Sequence, residues 1–163
     1  MFKTILVPSD GSKGSFEALR KATELQKLTG SELLIITVFR HHSLLESSMS
    51  MVRPEQPENM DDVLRSYGKE VADASKKFAQ SQGCTNVRAF VKSGQPARTI
   101  VKFAKDRNVD LIVLGGRGHG DLEGLLLGSV SHKVTSLAGC PVMVVKSAGS
   151  SSPHIEGAEA VTG

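Results

Sequence analysis

Short apolar runs alternate along this chain with longer stretches whose apolar residues recur every three or four positions. The runs are Lys3 to Pro8 (KTILVP), Leu33 to Phe39 (LLIITVF), Leu111 to Leu114 (LIVL) and Pro141 to Val145 (PVMVV). Each is rich in β-branched residues and lacks the polar alternation of a half-exposed strand, so each reads as a strand buried on both faces. Val87 to Val91 alternates and predicts a further strand. Between the runs, Leu19, Ala22, Leu25 and Leu28 share one face of a predicted helix over residues 14–29, which Ser12 is placed to cap and Gly30 to end. Val63, Tyr67, Val71, Ala74 and Phe78 mark a second helix over 61–82. Ile100, Val101 and Ala104 mark a third, entered through Gly94-Gln95-Pro96 with proline in the first turn, and Leu127, Val130, Val134 and Leu137 mark a fourth.

Strands alternating with helices imply an α/β fold: a single doubly wound parallel five-stranded sheet with helices on both faces. Ligands of such sheets lie at the carboxyl ends of the strands, where the strand order reverses. With the order 3-2-1-4-5, that point lies between the first and fourth strands. It brings Pro8-Ser9-Asp10 beside Leu114 to Gly118. Residues 1–146 form one domain in this reading. Residues 40–60, with two Pro, three Met and the pair His41-His42, are a long surface insertion, and 147–163 a disordered tail.

The fourth strand runs directly into a glycine cluster, Gly115 to Ser129 (GGRGHGDLEGLLLGS). Glycines let the main chain approach a ligand closely, and the helix beyond offers free N–H groups and a favourable dipole, the combination that holds phosphate. A P-loop would need a lysine after Gly128, and the Rossmann fingerprint would need its glycines after the first strand, so neither pattern is present. Arg117 is placed to reach phosphate or to point into water. Lys13 is a weaker phosphate candidate, and His119 reads as solvent-exposed.

Composition narrows the partners. A net charge of +3 without a basic run, no Trp and a single Tyr argue against a nucleic-acid surface. The opening apolar run breaks at Pro8, too short for a membrane span or a signal-peptide core, so no direct membrane insertion is expected. Cys84 and Cys140 lack metal spacing and read as reduced thiols of a cytoplasmic protein. His41-His42 has no evident third ligand, and no metal-binding residue is assigned.

The spacing Gly115-x2-Gly118-x9-Gly128-Ser129 resembles the ATP-binding loop of the universal stress protein family. The resemblance extends from about Phe2 to Lys146 and includes ILVPSDGS (Ile5 to Ser12), SGQPARTIV (Ser93 to Val101), DLIVLGGRG (Asp110 to Gly118), LLLGSVSHKV and CPVMVV. It implies an ATP-binding regulatory protein of the stress response. Gly115, Gly118, Gly128, Ser129 and the Val130 amide would cradle the phosphates. Pro8 and Asp10 would line the nucleoside side and the Val38 backbone would bond the adenine edge, with Ser9, Leu114 and Arg117 counted among the binding residues. Mg²⁺ would come with the phosphates, because the loop carries few cations of its own. The resemblance further implies a homodimer through the edge strand Pro141 to Val145, open to a higher oligomer.

Hydrolysis of a phosphoanhydride needs an oriented water and charge neutralisation at the transferred group. Asp10 could contact metal or water, but no finger or base is evident, so no catalytic residue is assigned and a nucleotide-dependent binding module is expected. Two alternatives stay open: a slow ATPase, and an accessory protein that docks through the 40–60 segment on a larger partner such as a membrane transporter.

Overall fold

The computed structural model describes residues 1–41, 57–117 and 127–146, excepting the side chains of 57–59. In chain order the elements are β1 (Thr4–Pro8), α1 (Lys13–Thr29), β2 (Glu32–Phe39), α2 (Pro57–Ser81), β3 (Val87–Ser93), α3 (Pro96–Asp106), β4 (Leu111–Gly115), α4 (Ser129–Leu137) and β5 (Val142–Val145). The strands form one sheet in the order β3-β2-β1-β4-β5, the order assumed above, and every pair is parallel, as the alternation of strands and helices predicts.

Alternate residues of the inner strands serve two cores. Ile5, Val7, Leu33, Ile35 and Val113 pack toward Leu19, Ala22 and Ala79 on α1 and α2. Leu6, Leu34, Ile36, Ile112 and Leu114 pack toward Ile100, Phe103 and Val134 on α3 and α4. Burial on both faces is why these strands read as unbroken apolar runs.

Local signals act where expected. Ser12 Oγ accepts from the Ser15 amide at the start of α1, and Gly30 ends that helix at φ 68°. Gln95 Oε1 caps α3 through the Arg98 amide, ahead of Pro96.

Several helix faces differ from the expectation. Leu28 is 80% exposed, because the last turns of α1 bury Thr23 and Gln26 instead. The Gln26 amide donates to the Ser31 carbonyl and closes the turn into β2. On α2, Val63, Tyr67 and Ala74 face outward, and the buried face is Gly68, Val71, Ala72, Ser75 and Ala79. Small residues let this helix lie close on β2 and β3: a Cβ on Gly68 would meet Val91 Cγ1 at 3.1 Å. Leu137 is likewise exposed at the end of α4, and Cys140 is only half-buried. Residues 57–60, assigned to the insertion by sequence, begin α2. The remainder of the insertion (42–56) and the 147–163 tail lie outside the described residues.

Candidate functional site

The carboxyl ends of β1 and β4 are adjacent, and the chain leaves them in opposite senses, toward α1 and α4. Between them opens a cavity of about 280 Å³. Pro8, Ser9, Asp10, Val38, Leu114, Gly115, Arg117, Ser129 and Val130 all line it. Of the remaining sequence candidates, Gly128 is the N-cap of α4, and Gly118 lies outside the described residues, as do His42 and His119.

The β1 side is held by a network of hydroxyls. Asp10 Oδ1 accepts from the Ser12 amide at 2.9 Å, which turns the chain into α1. Beneath it, buried Ser9 Oγ lies 2.8 Å from Ser75 Oγ of α2 and 3.3 Å from Ser15 Oγ, and its single proton serves one or the other. Ser75 and Ser15 in turn donate to the Val71 and Ser12 carbonyls. Three elements therefore fix the base of the loop that presents Asp10.

On the β4 side, the Gly128 amide donates to the Gly116 carbonyl and Ser131 Oγ donates to the Gly115 carbonyl at 2.7 Å. These bonds tie the first turn of α4 to the end of its strand. No carbonyl within a helix can serve its first N–H groups, so those of Ser129, Val130 and Ser131 form the donor end of α4 at the cavity. Gly128 has φ −68° and ψ 168°, a backbone open to any residue.

Gly115 plays a further part in the packing. A Cβ there would lie 2.7 Å from both the carbonyl carbon and oxygen of Gly14, and a Cβ on Gly14 would lie 2.6 Å from the Arg117 carbonyl oxygen. The start of α1 and the end of β4 thus touch backbone to backbone, which draws the two sides of the cavity together.

Sequence reasoning missed Ser12, Ser15, Ile36, Arg40, Pro96, Ile100 and Ser131, which also line the cavity. Some were within reach. Ile36 lies two residues before Val38 on the same strand face, and Ile100 one helical turn beyond Pro96. The inward turn of Ser131 depends on its bond to Gly115 and had no sequence signal. The lining therefore combines apolar residues (Ile36, Val38, Ile100, Leu114) with hydrogen-bond donors (the α4 terminus and Arg117). Such a surface suits a flat apolar group joined to an anion.

Comparison with known proteins agrees in fold and extent. The model of the universal stress protein family matches residues 1–146. The universal stress protein YxiE of Bacillus subtilis is 37% identical over 150 residues, covering 90% of this chain and all of that protein. The structure of universal stress protein MJ0577 of Methanocaldococcus jannaschii superposes with a TM-score of 0.76 at 29% identity, covering 90% of this chain and 97% of that one. A universal stress protein crystallised in complex with cAMP shares the fold, with a TM-score of 0.65 at 23% identity over 89% of this chain and 97% of its own. With a match that runs from the first residue of β1's approach to the last residue after β5, the chain belongs to the universal stress protein family.

Proposed function

We propose that the cavity between β1 and β4 binds ATP, with Mg²⁺ carried on its phosphates, and that the protein is a nucleotide-dependent binding module of the stress response. The observation that carries this reading is the convergence of an apolar slot and a helix N-terminus in one cleft at the switch point of the sheet. Ile36, Val38, Ile100 and Leu114 would hold the base, and the outward edge of β2 at Val38 would bond its rim. Asp10 is placed for ribose hydroxyls. The first-turn amides of α4, with Ser129 Oγ and Arg117, would take the phosphates, and Gly118 would continue that cradle.

The related protein that holds cAMP supports an adenine nucleotide as the class of ligand; the preference for ATP rests on the donor end of α4. Among the described residues that line the cleft Asp10 is the one carboxylate, and it is already engaged by the Ser12 amide; these residues favour binding over hydrolysis.

Two further parts of the reading concern assembly and place. Ile112 N–H donates to the Pro141 carbonyl and Gly116 N–H to the Val145 carbonyl. In this ladder the N–H groups of Val142 and Val144 point away from β4, and that edge would pair with a second copy. The free thiols of Cys84 and Cys140 suit the cytoplasm. Among the described residues no helix is long and apolar enough to cross a membrane.

The test is Ser129→Pro. Proline is accepted at the first position of a helix, and Gly128 already has the extended backbone that a residue before proline requires. The substitution removes one N–H and one hydroxyl while keeping α4. Calorimetric titration should show ATP·Mg²⁺ binding weakened by roughly 10- to 150-fold, the loss of a hydrogen bond to a charged group. Unchanged affinity in a folded variant would refute the phosphate assignment.

A further inference from the structure

At the edge of the sheet away from β5, β3 has a single neighbouring strand among the described residues. Leu33 N–H donates to the Asn86 carbonyl and Gly94 N–H to the Phe39 carbonyl, with Val87 opposite Leu33 and Ser93 opposite Phe39. In a parallel ladder of this register, Arg88, Phe90 and Lys92 turn their main-chain groups toward β2. Val87, Ala89, Val91 and Ser93 turn theirs outward, and no described residue hydrogen-bonds them. An open row of donors and acceptors of this kind is a template for a further strand.

The side chains along this edge decide what that strand can be. Arg88, Phe90 and Lys92 alternate and so share one face, the face on which Phe90 packs toward α3. Arg107, directly after α3, has its guanidinium carbon 4.6 Å from the centre of the Phe90 ring and 5.2 Å from that of Phe103. Arg88 lies 5.7 Å from the Phe90 ring, and its Nε donates to Glu32 Oε1 at 2.7 Å. Lys92 and Arg107 are exposed and have no carboxylate partner among the described residues. Contact with two rings orders the Arg107 side chain in advance, while its N–H fork stays available to a carboxylate. Glu32 answers Arg88 alone, so the edge keeps an excess of positive charge.

We propose that the β3 edge is a docking site for an acidic, extended peptide segment of a partner protein, which joins the sheet as a further strand. Its main chain would bond the outward groups of Val87 to Ser93. Carboxylates on its α3-facing side would meet Arg88, Lys92 and Arg107. Opposite charges across a strand pair stabilise it, and like charges oppose it. A second copy of β3 running antiparallel would set Arg88 against Lys92, so the cations that admit an acidic strand also discourage self-pairing at this edge. None of these residues lines the ATP cleft, and docking here requires no nucleotide.

The experiment is ¹H–¹⁵N NMR titration of the full-length, nucleotide-free protein with the blocked peptide Glu-Thr-Glu-Val-Glu-Thr. Two controls accompany it: the same peptide with lysine in place of each glutamate, and the acidic peptide N-methylated at alternate residues so that it cannot complete a ladder. Saturable binding at about 0.1–1 mM is expected, with the Val87, Ala89, Val91 and Ser93 amide signals moving downfield. Both controls should bind at least roughly ten-fold more weakly. Arg107→Glu should weaken the acidic peptide roughly five-fold. Ala89→Pro deletes an outward N–H while sparing the bonds to β2, and should weaken it roughly five-fold as well. Should that variant fail to fold, the N-methylated peptide tests the same hydrogen bonds on wild-type protein. The proposal is overturned if wild-type protein shows no saturable binding, if the lysine peptide binds as tightly, or if N-methylation costs nothing. It is overturned equally if the shifts fall on Val142 to Val145 instead, which would put the peptide at the other edge.

Discussion

Gly115→Ala isolates the contact that draws the two halves of the cleft together. The added methyl would sit 2.7 Å from the carbonyl carbon and oxygen of Gly14 and 3.2 Å from its Cα, all backbone atoms that no rotamer change can clear. To restore ordinary contact, the first turn of α1 has to back away by roughly 0.7 Å, and overpacking of this kind costs about 1–3 kcal/mol. For a domain of this size each kcal/mol moves the midpoint by about 2–4 °C, so the melting temperature should fall by about 2–12 °C. The same turn carries the Ser12 cap and the bond from Ser12 N–H to Asp10, so ATP affinity should fall with stability. Gly14→Ala adds its methyl 2.6 Å from the Arg117 carbonyl oxygen, at the same seam. Once one methyl has opened the seam the second costs less, and the double variant should lose less than the two single losses combined, by at least about 0.5 kcal/mol. Thermal unfolding followed by circular dichroism measures all three variants. A Gly115→Ala protein melting within about a degree of wild type would refute the backbone-contact argument.

Further outcomes follow from single groups. In ligand-free protein, Thr37→Val removes a buried hydroxyl that lacks a partner among the described residues, so it should stabilise by about 1 kcal/mol and raise the melting temperature by about 2–4 °C; a drop would mean that the hydroxyl is satisfied. Burial pushes both thiols above the ordinary thiol value of 9.0, Lys27 and the Asn86 amide opposing at Cys84 and Asp110 adding at Cys140. Their thiolates are therefore scarcer in the fold than in the unfolded chain. Iodoacetamide at pH 8 should alkylate native protein more slowly than unfolded protein, and the stability linked to the neutral thiols should be full below pH 9.0 and decline as pH rises through the raised values. Equal rates in the two states would contradict this. Val144→Pro deletes an outward N–H of the edge strand while leaving the bonds to β4, and should convert the proposed dimer to monomer by light scattering. A variant that remains dimeric would move the interface elsewhere.

The parallel sheet was legible because strands alternate with helices, and the strand order, assumed for a doubly wound sheet and implied by the resemblance to the family, placed the switch-point cleft. The two-sided burial of Ile5, Leu6 and Val7 appears directly as an apolar run. Helix faces were less legible where small or polar residues are buried. On α2, Ser75 and Gly68 face the sheet because close approach and a hydroxyl network reward them, while Tyr67 points out. At Gln26, a side-chain bond to Ser31 outweighs the apolar appeal of Leu28. In the cleft, the candidates near β1 and β4 came from chain connectivity. Ser131 enters through a tertiary hydrogen bond that no spacing encodes, whereas Ser15 is held by its local bond to the Ser12 carbonyl in the first turn of α1. The glycine at 115 was legible as a glycine, but the need for it arises partly from Gly14, far earlier in the chain.

The central claim is that the cleft between β1 and β4 binds ATP. Its most direct test is thermal unfolding of the purified protein with and without ATP·Mg²⁺ at a concentration about 100 times the dissociation constant measured by titration. Binding to the native state alone should add about 2.7 kcal/mol, a rise of roughly 5–11 °C, and Ser129→Pro at the same concentration should lose about half of it or more. A melting temperature unmoved by ATP·Mg²⁺ at millimolar concentration, or one that rises equally in Ser129→Pro, would contradict the account.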